Sequence, residues 1–154
     1  MRFSGITLIT AAASLARLAS AVGNATVINN CANDIYLWSV DSTIGPEQTV
    51  AAGQSYTEQI HTDPISGGVA IKLTLTADGM YNGSPQTDFA YTLQDTQVWY
   101  DLSDVYGDPF AGKSVALVPS DTSCQSIVWS DGVPPAGNPT TVCESGTDLV
   151  LTVC

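Results

Sequence analysis

Between Phe89 and Leu102 the chain alternates apolar and polar residues in a way that predicts a β-hairpin. Folded about Asp95-Thr96, it sets Leu93 opposite Val98, Tyr91 opposite Tyr100 and Phe89 opposite Leu102 on one face. The other face then carries the pairs Thr92/Trp99 and Ala90/Asp101. Side chains alternate with period two along a strand, so only one register sorts the two faces this cleanly. Beyond it, Asp101, Asp104 and Asp108 make an acidic end.

The rest of the chain reads as short strands between turn signals, with no stretch of helical periodicity. Expected strands cover residues 26–30, 35–40 (Tyr36 and Trp38 on one face) and 54–60. After Gly67-Gly68, Val69, Ile71, Leu73 and Leu75 face one way, and Ala70, Lys72, Thr74 and Thr76 the other. Further strands are expected at 113–118, 126–129 and 148–154, with Asp78-Gly79 and Asn82-Gly83 as turns. Residues 131–139 hold too much Pro and Gly for regular structure and predict a surface loop. About eight to ten strands at this spacing predict an all-β fold, an antiparallel sandwich.

Residues 1–21 have the features of a secretory signal peptide: Arg2, an apolar run over 6–18, and Ala19-Ser20-Ala21 as a small-x-small cleavage site. That run is too short to span a bilayer, and no membrane span is expected. Cleavage leaves 133 residues (154 − 21), which suits one domain over 22–154. Lys72 and Lys113 then stand against 15 acids, a net charge of about −13 (2 − 15). Such a surface excludes nucleic acid, whose binding needs clustered Lys and Arg.

Four cysteines in a secreted chain imply two disulfides, with three connectivities open. The favoured pairing is Cys31–Cys154, joining the chain ends, with Cys124–Cys143 closing the base of the Pro/Gly loop. The sequons Asn24-Ala25-Thr26 and Asn82-Gly83-Ser84 mark Asn24 and Asn82 as glycosylation candidates.

Val27-Ile28-Asn29-Asn30-Cys31 followed by Ile35-Tyr36-Leu37-Trp38 resembles the opening of thaumatin-like proteins. Gly53-Gln54-Ser55-Tyr56 resembles their next turn and strand, and Tyr100-Asp101-Leu102-Ser103-x-Val105-x-Gly107 their hairpin signature. The short fungal branch, the blastomyces yeast-phase-specific protein family with its antigenic thaumatin-like proteins, is the nearest match. The resemblance implies the thaumatin core sandwich without the second domain of the plant forms, and it supports a first-to-last cysteine bridge. In larger members a cleft lined by Arg, Glu and Asp is associated with β-1,3-glucan binding and weak hydrolysis. Here the Glu position holds Ala90, one Asp is kept as Asp101, another is Tyr106, and the Arg position holds Lys72.

Glycoside hydrolysis needs two carboxyl groups across the scissile bond, and Ala90 stands where the partner of Asp101 would be. The ligand-binding candidates are therefore Asp101, Trp99, Thr92, Lys72, Asp104 and Asp108, with Asp101 the sole catalytic candidate. Trp38 and Trp129 are expected in the core. His61 sits in a surface-turn context with no nucleophile motif beside it, and no metal or cofactor is expected. The expected function is non-enzymatic: a secreted monomer that binds β-1,3-glucan at the cell wall or a protein on a host surface, as antigen, adhesin or effector. The alternatives are a weak endo-β-1,3-glucanase using Asp101 with a loop carboxylate, and a structural wall-associated protein.

Overall fold

A computed structural model describes residues 21–137 and 139–154, so the expected signal peptide lies outside the described residues apart from Ala21. Two sheets face each other. One has five strands: β1 (Asn24–Asn29), β4 (Ser55–Gln59), β8 (Val115–Pro119), β9 (Ile127–Trp129) and β11 (Leu149–Val153). Their order is β4-β1-β11-β8-β9. The other has six: β2 (Ile35–Val40), β3 (Gln48–Val50), β5 (Val69–Thr74), β6 (Gln86–Gln94), β7 (Gln97–Val105) and β10 (Thr141–Glu144). Their order is β10-β7-β6-β5-β2-β3. The single helix among the described residues, α1 (Gly79–Asn82), is one turn long. No helix there is long and apolar enough to cross a membrane.

The hairpin takes the register read from its alternation. Phe89 pairs with Leu102, Ala90 with Asp101, Tyr91 with Tyr100, Thr92 with Trp99 and Leu93 with Val98. Asp95 adopts a left-handed backbone, φ 54°, which Asp tolerates better than most residues. Phe89, Tyr91, Val98, Tyr100 and Leu102 are buried between the sheets. They meet Val27, Leu117, Leu149 and Leu151 from the opposite sheet in one core.

The sandwich is antiparallel except at one place: β1 pairs with β11 in parallel, Ala25 with Leu149 through Asn29 with Val153. The two chain ends therefore run side by side, and Cys31–Cys154 bridges them directly beyond that pairing. Cys124–Cys143 is the second bridge, as expected. The Asn29-x-Cys31 step has a physical reason. Asn29 is fully buried, and its Nδ2 donates to the carbonyls of Asn33 (2.9 Å) and Val50 (2.8 Å). Its Oδ1 accepts from the Cys31 amide at 2.9 Å, so one side chain fixes the 30–34 turn and satisfies all its own polar groups.

Four details depart from the alternation pattern. Eleven strands form among the described residues, because β3 and β10 are edge strands of three and four residues, too short to show a period. Leu75 is 46 % exposed, not on the core face, because β5 ends at Thr74, whose hydroxyl donates to the Thr76 carbonyl at 2.7 Å as the chain bends away. The Asp78-Gly79 and Asn82-Gly83 turns flank α1, with Asp78 and Gly83 both left-handed. Trp38 is buried, but on the outer face of its sheet, where Tyr81 of α1 meets it edge-on at 6.1 Å between centroids.

The two bridges close loops of very different length, 123 and 19 residues apart in sequence. Replacing Cys31 and Cys154 together by Ser should cost about 5 kcal/mol, and the Cys124/Cys143 pair about 3 kcal/mol, on the chain-entropy scale. Urea unfolding followed by circular dichroism measures both, and equal losses would contradict this ordering.

Candidate functional site

Strand alternation gives the six-stranded sheet an outer face with three rows across its central strands. In one row Trp38 lies beside Lys72, Asp88 and Ser103. In the next, Val40 lies beside Ala70, Ala90 and Asp101. In the third, Thr92 pairs with Trp99, and Trp99 with Val142 of β10. Gly68 falls next to Thr92, where a Cβ would come within 2.7 Å of the Thr92 hydroxyl.

Because Gly68, Ala70 and Ala90 carry little or no side chain, the middle of this face is low. A shallow groove of about 490 Å³ runs over it from Val40 and Asp41 past Gly67 and Gly68 to Thr92. It continues into a hollow of about 70 Å³ bounded by Trp99, Asp101 and Thr140. Trp99 is 39 % exposed at this end, so its ring is a wall of the groove and not part of the core. Three expected candidates, Asp101, Trp99 and Thr92, thus come together around Ala90.

Asp101 is half-buried, and burial raises its carboxyl above the usual carboxylate range, against a hydrogen bond with the Thr140 hydroxyl that lowers it. The negative charge of Asp88 adds to the rise. Lys72 lies one row away and is already engaged: its Nζ is 2.6 Å from Asp88 Oδ2, with both side chains largely covered. Asp88 Oδ1 also accepts from Gln86 Nε2 at 3.0 Å. Lys72 therefore neutralises a neighbouring acid and leaves no free charge for a ligand.

Asp104 does not join Asp101. It lies three residues further along β7 and so projects to the opposite face, paired with Thr87. The Thr87 hydroxyl donates to its Oδ1 at 2.5 Å. Its buried Oδ2 has no hydrogen-bond partner among the described residues. Burial pushes the Asp104 carboxyl up to about 7; the Thr87 hydroxyl opposes the rise, and the carboxylates of Asp108 and Asp88 reinforce it. Asp108 is exposed in the loop beyond β7. Of the two loop carboxylates considered as partners of Asp101, Asp104 thus faces the other side of the sheet, while Asp108 stands in the loop beside Asp104.

Asp88, Thr140 and the Gly68/Ala70 floor are site residues that the sequence reading did not pick out. Asp88 was accessible to it: extending the hairpin register below Phe89 puts Asp88 on the same face as Ala90. Thr140 was not, because it reaches the site only through β10. His61 belongs to a different network, where β4 meets β6. The phenols of Tyr56 and Tyr91 donate to Glu58 at 2.6 and 2.5 Å. The Tyr91 oxygen also lies 3.1 Å from His61 Nδ1, and His61 Nε2 lies 3.8 Å from Asp41. Burial, followed by Glu58, raises both tyrosines, which stay neutral donors. The sequon side chains are engaged too: Asn24 Nδ2 donates to Asp148 at 3.1 Å and Asn82 Oδ1 accepts from the Ser84 amide at 3.1 Å.

Residues 12–154 match the family described as Blastomyces yeast-phase-specific protein. An antigenic thaumatin-like protein of Arthroderma benhamiae is 34 % identical over 164 residues, covering 98 % of this chain and 82 % of that protein. A secreted thaumatin-like protein, calA, of Emericella nidulans is 34 % identical over 113 residues, covering 71 % of this chain and 64 % of that protein. Among solved structures, the protein elicitor MoHrip2 of Magnaporthe oryzae superposes with a TM-score of 0.71 at 25 % identity, over 86 % of this chain and 98 % of that one. The thaumatin-like xylanase inhibitor TLXI shares the fold, with a TM-score of 0.53 at 14 % identity over 84 % of this chain and 98 % of that one.

The raised carboxyl of Asp104 sets a pH dependence. The folded state holds its proton up to about 7, whereas the unfolded chain releases it near 3.9. Between those values the folded state binds more protons, so stability falls as pH rises from about 4 to about 7. Asp104→Asn keeps an acceptor for Thr87 without the charge. It should melt several degrees above the parent at pH 8 and at about the same temperature at pH 4, by differential scanning calorimetry; a shift of the same size at both pH values would contradict the assignment.

Proposed function

The chain belongs to the Blastomyces yeast-phase-specific protein family of fungal thaumatin-like proteins, and on that premise we propose that it is a secreted protein that acts by binding, with β-1,3-glucan at the cell wall as its ligand. The observation that carries this reading is the groove over Gly68, Ala70 and Ala90, walled by the exposed face of Trp99 and edged by Thr92 and Asp101. A neutral sugar ring needs an aromatic surface to lie against and a few hydroxyl and carboxyl partners at its edge. A polymer running over a sheet needs an open groove, not an enclosed pocket.

The same site argues against hydrolysis. A glycosidase holds its two carboxyl groups about 5–9.5 Å apart across the bond, and each must be free to exchange a proton or to attack. Asp101 faces Ala90, and Asp88, the other acid on the outer face of β6 and β7, is held by Lys72. Secretion is supported by the two disulfides and by the relative named as secreted. A host-surface protein is the second reading. Ile44 and Ile65, 55 % and 83 % exposed, stand on neighbouring loops joined by the Ser42–Asp63 hydrogen bond. Such an apolar pair at the groove's end suits a protein partner better than a sugar.

Co-sedimentation with insoluble β-1,3-glucan tests the first reading. The parent protein should pellet without releasing soluble sugar, and Trp99→Ala should weaken retention about tenfold, ~1.4 kcal/mol, at unchanged melting temperature. Sugar release that disappears in Asp101→Ala would overturn the binding-only reading. Retention lost in Ile65→Asp but kept in Trp99→Ala would move the contact to the loops.

A further inference from the structure

A second cavity lies at the disulfide end of the sandwich, away from the groove. It measures about 490 Å³ and lies between the 30–34 turn, Leu75 and the 109–113 loop, with Cys31 and Cys154 in its lining. Leu75, Pro109 and Ala111 give it apolar walls, while Asn33, Asp34 and Lys113 supply polar groups. That size and mixture are typical of sites for metabolite-sized molecules.

The walls are fixed in advance. Asn29 and the Cys31–Cys154 bridge hold the 30–34 turn. On the other side, the Lys113 amide donates to the Phe110 carbonyl at 2.9 Å and the Gly112 amide to the Asp131 carbonyl at 2.7 Å. Gly132 packs so closely that a Cβ would come within 2.0 Å of the Phe110 oxygen. A site that needs no rearrangement loses less free energy on binding.

Lys113 gives the cavity its chemistry. Lys72 is neutralised by Asp88, but Lys113 makes no ion pair among the described residues. It stands exposed at the rim of the cavity, where its ammonium can reach a ligand. We propose that this cavity binds a small monoanionic organic acid, its carboxylate on Lys113 and its apolar body against Leu75, Pro109 and Ala111. The surrounding negative charge repels anions elsewhere, which confines capture to Lys113 and disfavours multiply charged ligands. Asp34, on the opposing turn, sets the orientation by excluding the carboxylate from its side.

Isothermal titration of the full chain at pH 7 with octanoate, and with octanol as the neutral control, tests this site. Octanoate should bind saturably at one site, at least tenfold more tightly than octanol. Lys113→Gln should weaken octanoate about tenfold and leave octanol unchanged. Ala32→Trp, which narrows the mouth from the exposed rim, should abolish both, and Trp99→Ala should change neither. No saturable octanoate binding overturns the proposal, as does equal affinity for octanol or binding insensitive to Lys113→Gln. Loss of octanoate binding in Trp99→Ala would instead assign it to the outer groove and equally overturn the proposal. Since Trp99 serves only the groove, failure of this site leaves glucan binding standing, and the reverse.

Discussion

The register of the β6–β7 hairpin is the constraint on which the rest depends. A slip of one residue would move Phe89, Tyr91, Tyr100 and Leu102 from the core to solvent and bring Ala90, Thr92, Trp99 and Asp101 inside. That exchange would cost several buried aromatic and aliphatic side chains, each worth about 1.5–3 kcal/mol. The register is therefore fixed by the core. Once fixed, it also decides which acids can meet, because Asp88 and Asp101 share one face while Asp104 is assigned to the other.

The outer face shows how a binding surface arises from what is absent. Ala90 occupies the position directly across from Asp101, and Ala70 and Gly68 continue the low floor, so the backbone of the sheet itself becomes the base of a groove. The remaining charges are used up locally. Lys72 and Asp88 pair under partial cover, where an isolated charge would be costly. Asp101 is left beside an exposed indole. Stacking and hydrogen bonding are the interactions that an exposed indole beside a carboxyl can offer.

Polar groups elsewhere are tied into the scaffold. Asn29 links the end of β1 to the 30–34 turn and to β3, and Glu58 gathers two phenols where the sheets approach each other. Asp63, accepting from Ser42, Ser66 and Ile65, is held down to about 2, chiefly by the backbone and hydroxyl of Ser66, and pins the 63–68 turn beside the groove. Asp104 is the exception, a carboxyl whose second oxygen is buried without a hydrogen-bond partner among the described residues. It resolves that conflict by retaining its proton toward neutral pH.

The sequence by itself determined the strand class, the hairpin register and the resemblance to a family, because these rest on period-two alternation and on local motifs such as Asn29-x-Cys31; it favoured the cysteine pairing but left three connectivities open. It also placed Trp99, Thr92 and Asp101 on one face. Contacts between segments distant in the chain lay beyond it. The parallel β1–β11 pairing, the edge strands β3 and β10, the burial of Trp38 under Tyr81 and the capture of Lys72 by Asp88 carry no local period. Nor did the stretch Asp101 to Asp108 reveal which acids could act together, since that depends on the length of β7 and on where its loop turns. Tertiary structure decided the site because a site is a meeting of side chains from several strands, and alternation along one strand fixes only the face each can reach.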